Sequence, residues 1–91
     1  MATQITQSES DGHVFFRIEG EMFLEDALLL ERIVEGQDSE KPVVIDLADL
    51  DFLDSDAAQV LRRLETENDV RLEGTEIFLQ TAVDFAERTA N

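Results

Sequence analysis

Residues 43–47, VVIDL, constrain the fold of this chain more than any other stretch of its sequence. The run begins after Pro42 and is apolar along nearly its whole length, which is typical of a strand with both faces buried. Such strands lie in the interior of a sheet and have parallel neighbours. We therefore predict that residues 43–47 form the central strand of the domain.

The sequence at the N-terminus predicts a β-hairpin. Residues 3–7, TQITQ, can form a short edge strand, and the SESDG that follows is rich in turn-forming residues. In HVFFRI, residues 13–18, apolar side chains alternate with a period of two, as they do in strands. Because this alternation places Phe15 and Phe16 on opposite faces, we expect Phe15 to be the less buried of the two.

A helix and a loop connect this hairpin to the central strand. Residues 23–36 have helical periodicity, and Gly36 should lie just past the end of the helix. Leu28 falls on the outer side, either as an ordinary surface residue or as part of a docking surface. Residues 36–42, GQDSEKP, are predicted to form the loop.

The second half of the chain alternates helix and strand. A helix begins at Ser55, residues 70–73 (VRLE) form a short strand, and Gly74 with Thr75 opens the last helix. In the helix from Ser55 the predicted buried face comprises Ala57, Val60, Leu61 and Leu64, and the outer face comprises Asp56, Gln59, Arg62 and Arg63. The apolar face of the last helix comprises Phe78, Ala82, Phe85 and Ala86.

The resulting order, ββαβαβα, predicts an α/β protein. Strand–helix–strand connections favour parallel pairing with right-handed crossovers, whereas the opening hairpin adds an antiparallel edge. We expect a mixed sheet of roughly four to five strands, with parallel core strands and about three helices. A chain of 91 residues has room for one core, so residues 1–91 should form a single domain.

The charge balance limits the partners of this domain. With 22 acidic and 7 basic residues, the formal net charge is −15. Nucleic-acid phosphates and anionic lipids would be repelled over most of the surface, so a partner should present positive charge. The same acidity can also serve solubility alone.

The sequence lacks cysteine and lacks membrane or signal segments, and this excludes several classes of function. The chain has no cysteine, which excludes disulfides, thiol nucleophiles and thiolate metal sites. No apolar run is long enough to cross a bilayer, and the polar start MATQITQSESDG lacks the basic and apolar segments of a signal peptide. We therefore expect a cytoplasmic protein without direct membrane insertion.

Ser55, in the segment FLDSDAA, is the side chain whose role most affects the functional interpretation. A nucleophilic serine needs a base and an oxyanion hole. The single histidine, His13, begins the second predicted strand, and no G-x-S-x-G motif surrounds Ser55. We therefore assign no catalytic residue and interpret His13 as a surface residue.

Carboxylates near Ser55 could bind a metal ion or carry a phosphate, because cation sites and phosphoaspartates often follow buried strands of α/β folds. The EF-hand pattern fails, since Leu53 stands where a ligand is needed and no glycine makes the sharp turn. A solvated acidic loop is the commoner structure, so we predict no metal or cofactor, and a magnesium-dependent phosphoryl enzyme stays as an alternative. The aspartates concerned are Asp46, Asp49, Asp51, Asp54 and Asp56.

Ser55 also suits two roles at the start of a helix. Its hydroxyl can act as an N-cap by accepting a hydrogen bond from an amide one turn into the helix. A phosphate on the same hydroxyl would meet exposed amides and the positive end of the helix dipole. Asp54 and Asp56 would repel such a phosphate, so phosphorylation would act on docking rather than stabilise the fold.

The segment LDFLDS after VVIDL, together with the glycine of IEGEM, resembles the STAS family, whose founding members are anti-sigma-factor antagonists. The resemblance extends over nearly the whole chain in element order and implies a single STAS-type domain. In the family's antagonists, the serine after the aspartate is phosphorylated by the partner anti-sigma factor, a GHKL-type kinase, and phosphorylation breaks the complex. The resemblance implies that Ser55 is this serine and Asp54 this aspartate.

The resemblance implies a non-catalytic protein–protein interaction module, an anti-sigma-factor antagonist regulated by phosphorylation of Ser55. The switch surface that it implies comprises Asp54, Ser55, Asp56 and Gln59. Two positions depart from the family pattern: Asp56 replaces a usual second hydroxyl, and Ala57 replaces a common glycine. STAS domains also occur in anion and lipid transporters, so the alternative is a transporter-associated regulatory domain in which Ser55 is only a helix cap.

Overall fold

The computed structural model describes residues 3–37 and 40–89, with side chains through residue 87. Residues 38 and 39 of the predicted loop, and residues 1, 2, 90 and 91 of the predicted domain, lie outside the described residues. The secondary structure of the described part is β1 (Gln4–Ser10), β2 (His13–Met22), α1 (Leu24–Glu35), β3 (Val43–Asp46), β4 (Leu50–Leu53), α2 (Ser55–Glu67), β5 (Arg71–Glu73) and α3 (Glu76–Thr89).

The strands form one mixed sheet, as the sequence predicts, but the strand with the most neighbours is β2 and not the predicted central strand at residues 43–47. β1 pairs with β2 in the antiparallel direction, whereas β3 and β4 pair with β2 and β5 pairs with β3 in the parallel direction. The strand order is β1-β2-β3-β5, and β4 pairs with β2 apart from this path. The apolar run VVIDL therefore lies in an interior strand, and Val43, Val44 and Ile45 are all buried.

Successive side chains along the strands point alternately to the core and to the opposite side of the sheet. On β2, Val14, Phe16 and Ile18 are at most 1% exposed, while Phe15 between them is half-buried, as predicted. One face of each helix completes the core. The buried helix residues are Ala27, Leu30 and Val34 on α1, Ala57, Val60, Leu61 and Leu64 on α2, and Thr81 on α3.

The structure has a strand, β4, between residues 43–47 and the helix from Ser55, where the sequence predicted none. A turn closed by the Leu50 N–H, which donates to the Leu47 carbonyl at 3.1 Å, leads into it. Leu50 and Leu53 are buried, and β4 pairs with β2 after a register shift at Gly20. Gly20 has φ of +89°, a backbone conformation that glycine adopts without strain. This strand brings the chain to the start of α2 beside the end of β2.

The orientation of α3 differs from the sequence prediction. Of the predicted apolar face, Phe78 is half-buried and packs against the core, whereas Ala82, Phe85 and Ala86 are exposed. Thr81 is buried instead, and its hydroxyl oxygen lies 2.7 Å from the carbonyl oxygen of Leu53. Because α3 is apolar over more than half of its circumference, periodicity alone could not select the arc that packs against β4.

Candidate functional site

The site begins where β4 passes into α2. The Asp54 N–H donates to the Met22 carbonyl at 2.9 Å, which fixes this junction to the end of β2. Asp54 has extended backbone angles, and its carboxylate accepts a hydrogen bond from the Asp56 N–H at 3.1 Å. The Asp54 carbonyl accepts the first helical hydrogen bond, from Ala58, at 2.9 Å. Asp54 is therefore the N-cap of α2.

The alternative role of Ser55 as the cap of this helix is contradicted, because the cap is one residue earlier. Ser55 is the first residue of α2 and follows the cap. The sequence Asp54-Ser55-Asp56 offers three side chains that can cap a helix, and the aspartate held in place by β2 takes the position. Within residues 3–37 and 40–89, the Ser55 hydroxyl has no hydrogen-bond partner.

Ser55 lies at the edge of a shallow groove between α2 and α3. The groove has a volume of about 210 Å³, and Ser55, which is half-buried, is one of the residues that line it. Gln59, one turn later on α2, is exposed and lines the same groove. The remaining lining is mostly apolar and consists of Ala58, Phe78, Thr81, Ala82 and Phe85.

Asp56 belongs to a different face of α2. It is exposed and lies about 100° around the helix axis from Ser55. Of the four side chains in the predicted switch surface, Ser55 and Gln59 therefore share the groove, Asp54 is held in the cap, and Asp56 faces away. The two aspartates still place negative charge on either side of the hydroxyl.

Two arginines on the outer face of α2 have distinct contacts. The Arg62 guanidinium lies 4.2 Å from the centre of the Phe78 ring, which joins α2 to α3 beside the groove. Arg63 donates three hydrogen bonds to Glu31 of α1, at 2.7 to 3.0 Å. The hydrogen bonds and negative charge of Glu31 raise the pKa of Arg63. Both neighbouring helices are thus tied to α2 from its solvent side.

An aromatic pair next to the cap was missed by the sequence interpretation. The Phe23 and Phe52 rings are 5.4 Å apart, and Phe23 is 45% exposed. Phe23 directly follows Met22, whose carbonyl binds Asp54, and Phe52 is two residues before the cap. The signal was the aromatic residue in LDFLDS, but its partner is distant in sequence and depends on the unpredicted pairing of β4 with β2.

His13, the candidate base for a nucleophilic serine, lies far from Ser55. His13 starts β2, about 30 Å along the strand from the Met22 end that binds Asp54. Its ring nitrogen Nδ1 is 3.0 Å from the Asp11 carbonyl oxygen, and its ring stacks on Phe15. These contacts place His13 far from Ser55, so the two side chains cannot form a nucleophile–base pair.

The aspartates after the central strand are engaged separately. Asp46 accepts a hydrogen bond from the Ala48 N–H at 3.0 Å, and Asp49 accepts one from the Arg17 Nε at 2.6 Å. This bond to Asp49 raises the pKa of Arg17. Among residues 3–37 and 40–89, no three histidine, aspartate or glutamate side chains converge as metal ligands. In the same part of the chain, no helix has the length and apolar character needed to cross a membrane.

Comparison with known proteins identifies the fold. The profile of the STAS domain family matches residues 4–90, which is nearly the whole chain. No protein of curated function matches the sequence significantly.

Solved structures with the same fold include two anti-sigma-factor antagonists. The STAS domain of one, from Rhodobacter sphaeroides, has a TM-score of 0.63 at 21% identity, covering 87% of this chain and 94% of that one. Another, from Mycobacterium paratuberculosis, has a TM-score of 0.67 at 19% identity, covering 97% and 82%. An uncharacterised Shewanella loihica protein with a SpoIIAA-like fold has a TM-score of 0.51 at 23% identity, covering 94% and 77%.

Proposed function

The chain belongs to the STAS domain family, and we propose that it acts without catalysis as an anti-sigma-factor antagonist controlled by phosphorylation of Ser55. The observation that carries the proposal is the state of the Ser55 hydroxyl. Ser55 lines the groove between α2 and α3, and its hydroxyl has no hydrogen-bond partner among the described residues, since Asp54 supplies the helix cap. A serine that only capped the helix would have its oxygen committed to an amide.

The proposed switch is electrostatic. The partner's kinase domain transfers the γ-phosphoryl group of ATP to Ser55 Oγ, with loss of the hydroxyl proton and release of ADP. The phosphate adds a charge of about −1.5 to −2 between Asp54 and Asp56. A partner surface that accepts the neutral hydroxyl and the groove beside it would then face three adjacent negative groups. Docking should weaken, while the backbone at the start of α2 keeps its cap.

The proposed partner is an anti-sigma factor of the GHKL kinase type. Two of the structural neighbours are named as anti-sigma-factor antagonists, and a net charge of −15 favours a partner with positive charge at its docking surface. Such a complex would form in the cytoplasm, where the transcription machinery of a bacterium is located. Asp56 is not among the residues that line the groove beside Ser55, so its fixed charge adds to the negative charge near the hydroxyl without occupying the groove.

A titration against an anti-sigma factor encoded next to this gene tests the proposal. Ser55→Ala should bind the factor as the wild type does and should resist phosphorylation. Ser55→Glu should fold equally well but bind at least about tenfold more weakly, a difference of about 1.4 kcal/mol. Ser8→Glu is the matched control, because it adds the same charge at an exposed position on β1 and should leave binding unchanged.

The measurements are isothermal titration calorimetry and mass spectrometry of the phosphorylated peptide after incubation with ATP. Equal affinities for Ser55→Ala and Ser55→Glu, combined with no phosphate on Ser55, would refute the switch. Weakening by Ser8→Glu as large as that by Ser55→Glu would show that total charge, and not this site, controls docking.

A further inference from the structure

Helix α3 presents an apolar face to solvent in addition to the one that packs against the core. Leu79 is 73% exposed and Val83 is 51% exposed. They are four residues apart, so they lie one above the other on the same side of the helix. Ala82, also exposed, extends this surface towards the groove beside Ser55. We call Leu79, Ala82 and Val83 the outer face of α3.

A line of acidic and polar side chains borders the outer face on the side away from Ser55. Glu76, Gln80 and Glu87 are exposed there, at helical positions next to Leu79 and Val83. A cleft of about 630 Å³ between α3 and the end of β3 lies along this border, with Asp51, Glu76 and Asp84 in its lining. Among the side chains that the structure describes, no lysine or arginine lines this cleft. The outer face is therefore apolar with a negative flank.

The apolar surface and its negative flank together indicate which kind of partner fits the outer face of α3. A second copy of the chain would bring another net charge of −15 to a surface already flanked by carboxylates, and like charges facing each other oppose association. A helix from another protein with an apolar stripe and a row of lysine or arginine beside it would instead match both features. Amphipathic helices commonly dock in this way, through apolar side chains spaced three and four residues apart.

We propose that the outer face of α3 is a docking surface for a basic amphipathic helix of a partner protein. Leu79 and Val83 contact the apolar stripe of that helix, and Glu76, Asp84 and Asp51 attract its basic row. The surface does not require phosphorylation of Ser55 and does not include its hydroxyl. Its continuity with the groove through Ala82 allows one partner to cover both surfaces at once.

Synthetic peptides test this surface without an anti-sigma factor or a kinase, so its failure is separable from failure of the Ser55 switch. The probe is a fluorescent peptide of about 18 residues, or five helical turns, with leucines on one face and lysines beside them. Comparison peptides are a scrambled sequence of identical composition and a version with glutamate in place of lysine. Binding to the full chain is measured by fluorescence anisotropy.

The amphipathic lysine peptide should bind at least tenfold more tightly than either comparison peptide. The double variant Leu79→Gln, Val83→Gln should lose at least tenfold in affinity, and glutamine keeps good helix propensity at both exposed positions. Leu29→Gln is the matched control, because Leu29 is 52% exposed on α1 and should not affect binding. Glu76→Gln combined with Asp84→Asn should weaken binding several-fold at low salt and less at high salt.

Several results would overturn the proposal. Equal binding of the scrambled peptide would mean that charge alone attracts it, and an equal loss in Leu29→Gln would place the contact on another face. Absence of binding by the lysine peptide would also refute it. A dimer in sedimentation velocity that disappears in the Leu79→Gln, Val83→Gln variant would identify a second copy as the occupant instead.

Discussion

Replacing Asp54 by alanine tests which side chain begins α2 and therefore whether Ser55 is available for modification. The structure assigns one hydrogen bond to the Asp54 carboxylate, from the Asp56 N–H at 3.1 Å, and none among the described residues to the Ser55 hydroxyl. Asp54→Ala removes that bond and leaves the amide unsatisfied. Ser55→Ala removes no hydrogen bond of the described residues.

The expected loss of stability follows from these contacts. An N-cap replaced by alanine costs about 1 kcal/mol, with a range of roughly 0.5 to 2. For a domain of this size, about 1 kcal/mol lowers Tm by roughly 4 to 8 °C. Ser55→Ala should change the free energy of unfolding by no more than about 0.5 kcal/mol, as other surface substitutions do. The Asp54 N–H bond to Met22 is a backbone contact and persists in both variants.

Asp54→Asn is the control that separates hydrogen bonding from charge. Asparagine is as good an N-cap as aspartate, so this variant should keep most of the stability that Asp54→Ala loses. The assay is urea and thermal unfolding followed by far-ultraviolet circular dichroism, with equal m values required before free energies are compared. If Ser55→Ala loses as much as Asp54→Ala, the serine is the cap and the argument for its free hydroxyl fails.

Three further predictions concern the elements around the site. Thr81→Val should lose about 1 kcal/mol of unfolding free energy, because the bond from the buried hydroxyl to β4 disappears, whereas Thr81→Ser should retain it. Gly74→Ala should lower the free energy of unfolding, measured with a chemical denaturant, much more than Gly12→Ala. Both glycines have positive φ, which costs about 1 kcal/mol or more for alanine. Of these two sites, only Gly74 would place the new Cβ against backbone, 2.4 Å from the Ala48 nitrogen. Millimolar Mg²⁺ should raise the Tm of wild type no more than that of Asp51→Asn, and an Asp51-dependent rise of several degrees would favour the enzyme alternative.

The sequence predicted the parts of the fold that have a single strong periodicity. Residues 43–47 have few alternatives to an interior strand, and the alternation of Phe15 and Phe16 on β2 assigns each to its face of the sheet. Strand β4 was missed because four residues with two buried leucines give too short a pattern, and its partner on β2 is about thirty residues away. Pairing at that distance depends on the whole fold and not on local propensity.

The start of α2 was predicted in position, but its cap and the packing of α3 beside it were not, for two physical reasons. Three neighbouring side chains could each cap α2, and only the hydrogen bond from Asp54 to the end of β2 decides among them. The arc of α3 that faces the core depends on Thr81 reaching the carbonyl of Leu53. The sequence does not show that a polar residue such as Thr81 lies on the buried side of an apolar helix, because its hydrogen-bond partner belongs to another element of the fold.

These same contacts determine how a charge on Ser55 can act. The start of α2 is held by the Asp54 N–H to β2 and by the Asp54 carboxylate within the helix, and the opposite wall of the groove is held by Thr81 to β4. None of these bonds includes the Ser55 hydroxyl. Under the proposed switch, a phosphate on Ser55 would leave these bonds in place, and we expect it to weaken docking through the charge and bulk that it adds to the surface between α2 and α3.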